Sequence, residues 1–104
     1  MNTQGWIRGF MAKNMETDKF LYHVVECLSR EFGKDSHITD ADEEFTIKLD
    51  AYECSISMES ATILKKRGAY VLDKYLLDQL RAKGFEFEVT RSQYIRYCYN
   101  IFSI

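Results

Sequence analysis

The chain has 104 residues, 46% of them apolar and 29% charged, with no proline and a net charge of −2. That length allows one domain with its own core, and that composition excludes a disordered or linker-rich chain. A charge so near neutral gives no general attraction to nucleic acid or acidic membranes, and no stretch approaches the roughly 20 apolar residues of a membrane span.

Residues 1–13 hold Trp6, Ile7, Phe10 and Met11 around Gly5 and Gly9, and read as an N-terminal arm or tail ahead of a single α+β domain over 14–104. A wet Trp and Phe are unfavourable, so the arm is expected to dock on the domain or on a second subunit. The first helix runs from near Asn14 to near Phe32. Asn14 or Thr17 can cap it, and Glu16 and Asp18 suit the positive end of its dipole. Leu21, Val24, Val25, Leu28 and Phe32 recur at helical spacing, and Gly33 is the natural C-cap.

Residues 33–44 read as an acidic loop. Asp40, Asp42 and Glu44 look like the opening of a calcium loop, which then needs Gly at its sixth position and Glu at its twelfth. Phe45 and Ala51 stand there instead, so no metal is expected. Two strands follow. Phe45, Ile47 and Leu49 alternate with polar residues, as do Tyr52, Cys54, Ile56 and Met58. With Asp50 and Ala51 as a turn, Leu49 faces Tyr52, Ile47 faces Cys54 and Phe45 faces Ile56, which gathers the apolar groups on one face.

Residues 60–68 fit either a short strand turning at Gly68 or, with Ser60 as its cap, the start of one long helix with Gly68 inside it, and the helical reading is taken. Ala69, Leu72, Leu76 and Leu80 then mark an amphipathic helix from about Ala69 to Lys83, widened by Val71, Tyr75 and Leu77 and stopped by Gly84. Phe85, Phe87 and Val89 alternate with Glu86, Glu88 and Thr90, the pattern of a strand. In the last segment Ile95, Tyr97, Tyr99 and Ile101 oppose Tyr94, Cys98 and Phe102. The same residues also fit a helical face, and their β-propensity decides for a strand. The expected fold is therefore α+β: two main helices on one face of a mostly antiparallel sheet of about four strands, in the order helix, hairpin, helix, two strands.

Chemistry is sparse. Cys27, Cys54 and Cys98 form no CxxC pair and suit buried reduced thiols of a cytoplasmic protein. His23 and His37 stand in no nucleophile or metal motif, so no catalytic residue, metal or cofactor is assigned. Lys65, Lys66 and Arg67, together with Arg91 and Arg96, are candidate nucleic-acid or anion-binding residues, because cations interleaved with aromatic rings hold single strands and phosphates. Tyr94, Tyr97, Tyr99 and Phe102, with Trp6 and Phe10, are candidate interface residues, since aromatics concentrate at protein contacts. Residues 1–51 carry −4 and residues 52–104 carry +2, which permits unlike faces on one small domain. The leading expectation is a small non-enzymatic binding or regulatory protein that acts through protein–protein contact as a homodimer, docking through the Tyr/Arg-rich C-terminal strand. A nucleic-acid-binding module is the first alternative, and a small enzyme with a Cys/His site, in a cleft joining Cys54 or Cys98 to a histidine, the second.

Overall fold

A computed structural model describes residues 3–102 of the chain. Among these are five helices and three strands: α1 Thr3–Asn14, α2 Thr17–Phe32, β1 Ser36–Ala41, β2 Glu44–Leu49, β3 Tyr52–Ser57, α3 Met58–Arg67, α4 Val71–Ala82 and α5 Gln93–Cys98. The α+β class is as the sequence implies, but the sheet has three antiparallel strands in the order β1-β2-β3 rather than about four.

The β2–β3 register is the one that the alternation requires, with Leu49 opposite Tyr52, Ile47 opposite Cys54 and Phe45 opposite Ile56. Phe45, Ile47, Leu49, Cys54 and Ile56 are all buried, and α2 and α4 cover this face. The other face is polar. There His37, Thr39 and Ala41 of β1 stand opposite Lys48, Thr46 and Glu44 of β2. Half of the acidic loop expected over 33–44 is in fact β1, an edge strand with only Ile38 half-buried. Its hairpin closes at Asp42 and Glu43, with φ of 54° and 60°, the paired left-handed geometry of a tight two-residue turn.

Helix α2 buries Phe20, Leu21, Val24, Val25 and Leu28 and ends at Gly33, whose φ of 61° is the left-handed stop. Helix α4 buries Leu72, Leu76, Leu77 and Leu80. It gives way to Gly84 at φ 107°, where an added Cβ would lie 3.7 Å from the Tyr52 ring. The long-helix reading of 60–83 resolves into two helices broken at Gly68–Tyr70. The cap of the first is Ser57, not Ser60: the Ser57 hydroxyl accepts the Ser60 N–H at 3.0 Å.

Both C-terminal strands are corrected. Residues 85–88 run without a strand partner, with Phe85 edge-on to Phe32 at 4.8 Å and 5.4 Å from Tyr52. The in–out alternation there reflects an aromatic strap laid over α2 and β3, not a β-ladder. The second expected strand, 94–102, starts as helix α5, where the Ser92 hydroxyl accepts the Ile95 N–H at 3.1 Å. The N-terminal arm, described from Thr3 because residues 1 and 2 lie outside the described range, is helix α1, in contact with α3.

Candidate functional site

Helix α1 has two faces of opposite character. On its inner face, Arg8 is only 5% exposed and Ala12 is buried. The Arg8 guanidinium donates from Nη2 to Asp73 Oδ2 at 2.6 Å, and Asp73 is fully enclosed in the first turn of α4. The Tyr94 hydroxyl donates to the same carboxylate oxygen. Aromatic rings surround the guanidinium, at 5.3 Å from Phe20, 5.0 Å from Tyr70 and 5.9 Å from Tyr94. Cation–π attraction thus supplements the ion pair. A second tether joins α3 to α1, where Lys65 Nζ donates to the Ala12 carbonyl at 2.7 Å.

Burial sets the protonation of this cluster. It opposes the charge on Arg8, but Asp73 and Tyr94 outweigh it and hold the guanidinium firmly protonated. It pushes the Asp73 carboxyl upward, against the pull of Arg8 and the Tyr94 hydroxyl, and it drives the Tyr94 phenol well above its ordinary value. Arg8 Nε and Asp73 Oδ1 make no hydrogen bond within the described residues.

Beside this network a cleft of about 280 Å³ is bounded by Arg8, Met11, His23, Cys27, Tyr70 and Tyr94. One turn apart on α2, Cys27 Sγ and His23 Nε2 are 3.6 Å from each other. Burial raises the Cys27 thiol and lowers the His23 imidazole. Both are therefore neutral at rest, and a neutral thiol is a weak nucleophile. The Cys/His contact that the fold forms is Cys27–His23, not one through Cys54 or Cys98 as the enzyme alternative requires; those two are buried thiols, Cys54 pushed up to about 11 by burial. No group of three or more His, Cys, Asp or Glu among the described residues is arranged to hold a metal ion.

The basic candidates do not converge. Lys65 turns inward to α1, whereas Lys66 and Arg67 are exposed at the end of α3. Arg91 donates to Glu31 at 2.7 Å and lies 4.5 Å over the Phe32 ring. Arg96 donates to the Thr90 carbonyl at 3.1 Å. The aromatic candidates divide as well. Tyr94 faces Asp73, and the Tyr99 hydroxyl donates to Asp78 at 2.8 Å, with burial and Asp78 raising that phenol to about 12. Tyr97 is half-buried between Tyr70 and Phe102. Exposure is concentrated at Phe102 and on α1, where Trp6 is 64% and Phe10 58% exposed. These two rings stack at 6.1 Å and 22°, with Ile7 exposed beside them.

Sequence reading missed Arg8, Asp73 and Tyr70. The signal was present, since Asp73 sits three and four residues before Leu76 and Leu77, inside the apolar stripe of α4. Arg8 likewise stands three and four residues before Met11 and Ala12. A charge within an apolar stripe implies a buried partner. No family model, curated protein or solved structure matches this chain.

Proposed function

We propose that the protein is a non-enzymatic cytoplasmic binding module that works as a homodimer, with the outer face of α1 as its contact surface. The observation that carries this reading is the exposed Trp6–Ile7–Phe10 cluster on a helix whose opposite face is pinned by the buried Arg8–Asp73 pair. An apolar cluster on a helix that is already folded and docked is a preorganised contact, since the backbone needs no further ordering at binding. Trp6, Ile7 and Phe10 carry no charge, so two copies meet across a two-fold axis without like-charge repulsion, and the stacked rings of one copy lie against those of the other. The three free cysteines fit a reducing compartment. No helix among the described residues is long and apolar enough to cross a membrane.

The three side chains offer about 350 Å² of apolar surface per copy, less than the roughly 800 Å² per partner of a standard interface. The expected dimer is therefore in the micromolar range. Sedimentation from about 1 to about 300 μM is expected to show a monomer–dimer equilibrium that resists added salt. The emission of Trp6, the single tryptophan, is expected to shift to the blue as the dimer forms. A Trp6→Ser/Phe10→Ser variant is expected to remain folded and monomeric. A wild-type chain that is monomeric throughout this range overturns the proposal.

A further inference from the structure

A second cavity, of about 420 Å³, opens between the α3–α4 junction and the C-terminal end of α5. Its volume falls within the range of small-molecule sites, about 300–1,000 Å³. Tyr70, Tyr97 and Phe102 form an aromatic wall, with ring centroids 5.8 Å apart for the first pair and 5.4 Å for the second. Ala69 and Val71 add aliphatic lining, and the rings are inclined to one another by 59° and 45°. Such a lining favours an aromatic body, which gains dispersion together with edge-on and offset ring contacts.

The polar lining has one sign. Arg67 and Lys74 border the cavity, and no aspartate or glutamate lines it among the described residues. Lys74 is engaged by Asp78 at 2.8 Å. Arg67 is exposed and enters no ion pair among the described residues, leaving its guanidinium as the uncompensated charge of the rim. The nearby Asp73 carboxylate is occupied by Arg8 and Tyr94. The first turn of α4, which begins at the cavity, carries no side-chain cap at Tyr70. Its dipole adds to the positive field there.

We infer that this cavity binds a small molecule with a flat aromatic body and a single anionic group, the body seated against Tyr70, Tyr97 and Phe102 and the anion paired with Arg67. Gly5 of α1 completes the lining, but Trp6, Ile7 and Phe10 take no part in it.

The probe is 8-anilinonaphthalene-1-sulfonate, an aromatic sulfonate that brightens when it leaves water. The uncharged N-phenyl-1-naphthylamine serves as its neutral counterpart. The sulfonate is expected to bind the folded chain at one site per chain and to shift the amide resonances of Gly68, Ala69 and Asn100. Arg67→Gln, at an exposed position, is expected to weaken it about tenfold while leaving the neutral probe unchanged. Ala69→Phe fills the slot and is expected to abolish binding of both probes. Should Ala69→Phe fail to fold, Arg67→Glu tests the same prediction through charge alone, with a loss larger than that of Arg67→Gln. The inference is overturned if the sulfonate does not bind, if its affinity is indifferent to Arg67, or if its signal vanishes only in Trp6→Ser/Phe10→Ser, which would place it on α1.

Discussion

Replacing Arg8 with Met keeps the aliphatic stem and removes the cation, leaving Asp73 fully enclosed with the Tyr94 hydroxyl as its side-chain donor. Removing one member of a buried pair typically costs about 3–5 kcal/mol, a large part of the about 5–15 kcal/mol that holds a small domain together. Asp73→Leu is expected to cost less, about 1–3 kcal/mol, because a stranded arginine on α1 can extend its long stem toward solvent, whereas an enclosed aspartate cannot move out. The double variant Arg8→Met/Asp73→Leu removes both charges and is expected to recover most of the loss, since apolar replacements of buried pairs are often neutral. The penalty of Arg8→Met also depends on pH. Burial already raises Asp73 in the folded state, and losing Arg8 removes an interaction that lowers it. A folded-state value above the unfolded one means that proton uptake stabilises the fold. The penalty is therefore full at neutral pH and shrinks as pH falls through the raised value toward the ordinary carboxylate range near about 4. Urea unfolding followed by far-ultraviolet circular dichroism, with wild type and variants compared at each pH, measures all of this. A cost under about 1 kcal/mol at neutral pH, or one that is the same in acid, would refute the argument that this pair anchors α1.

Three further outcomes follow from particular positions. Glu43 holds a left-handed φ of 60°, so Glu43→Gly is expected to raise stability by about 0.5–1 kcal/mol, the relieved strain exceeding the added chain entropy; an unchanged urea midpoint would count against strain at that turn. Gly9 lies inside α1 with nothing within 4 Å of where its Cβ would sit, so Gly9→Ala is expected to gain up to about 1 kcal/mol in thermal or urea unfolding. Of the three thiols, Cys27 is the half-exposed one while Cys54 and Cys98 are buried. Limited iodoacetamide labelling read by peptide mass is expected to modify Cys27 first, and more slowly than a free thiol because burial raises its pKa.

The parts of the fold that were legible in the sequence are those where burial imposes one period on consecutive residues. Helices α2 and α4 and the β2–β3 register are of this kind, because each presents a single face to one core. Strand β1 was not legible. It buries almost nothing, and it forms because β2 offers a ladder and a two-residue turn returns the chain to it. The C-terminal segment misled for the opposite reason. Tyr94, Ile95 and Cys98 satisfy both periods, and β-propensity was a poorer guide than the Ser92 cap three residues ahead of Ile95. The candidate sites follow the same rule. Trp6 and Phe10 stood out as large apolar residues in a short segment, and they are exposed. The inward turn of Lys65, Tyr94 and Tyr99 depends on partners as far as 53 residues away, and local spacing does not record such a distance.

The tethers of α1 also bear on how the chain assembles. The strands pair only with sequence neighbours through two-residue turns, so the sheet forms from short loops that close quickly. The bonds that fix α1 span 65 residues from Arg8 to Asp73 and 53 from Ala12 to Lys65. They require α3 and α4 to be in place first. Helix α1 is therefore expected to dock last and detach first, and hydrogen exchange is expected to show its amide protons opening while the sheet, α2 and α4 stay protected. Each such excursion uncovers Asp73 and moves Trp6, Ile7 and Phe10 out of their fixed arrangement, so the exposed cluster keeps its shape only while α1 is docked.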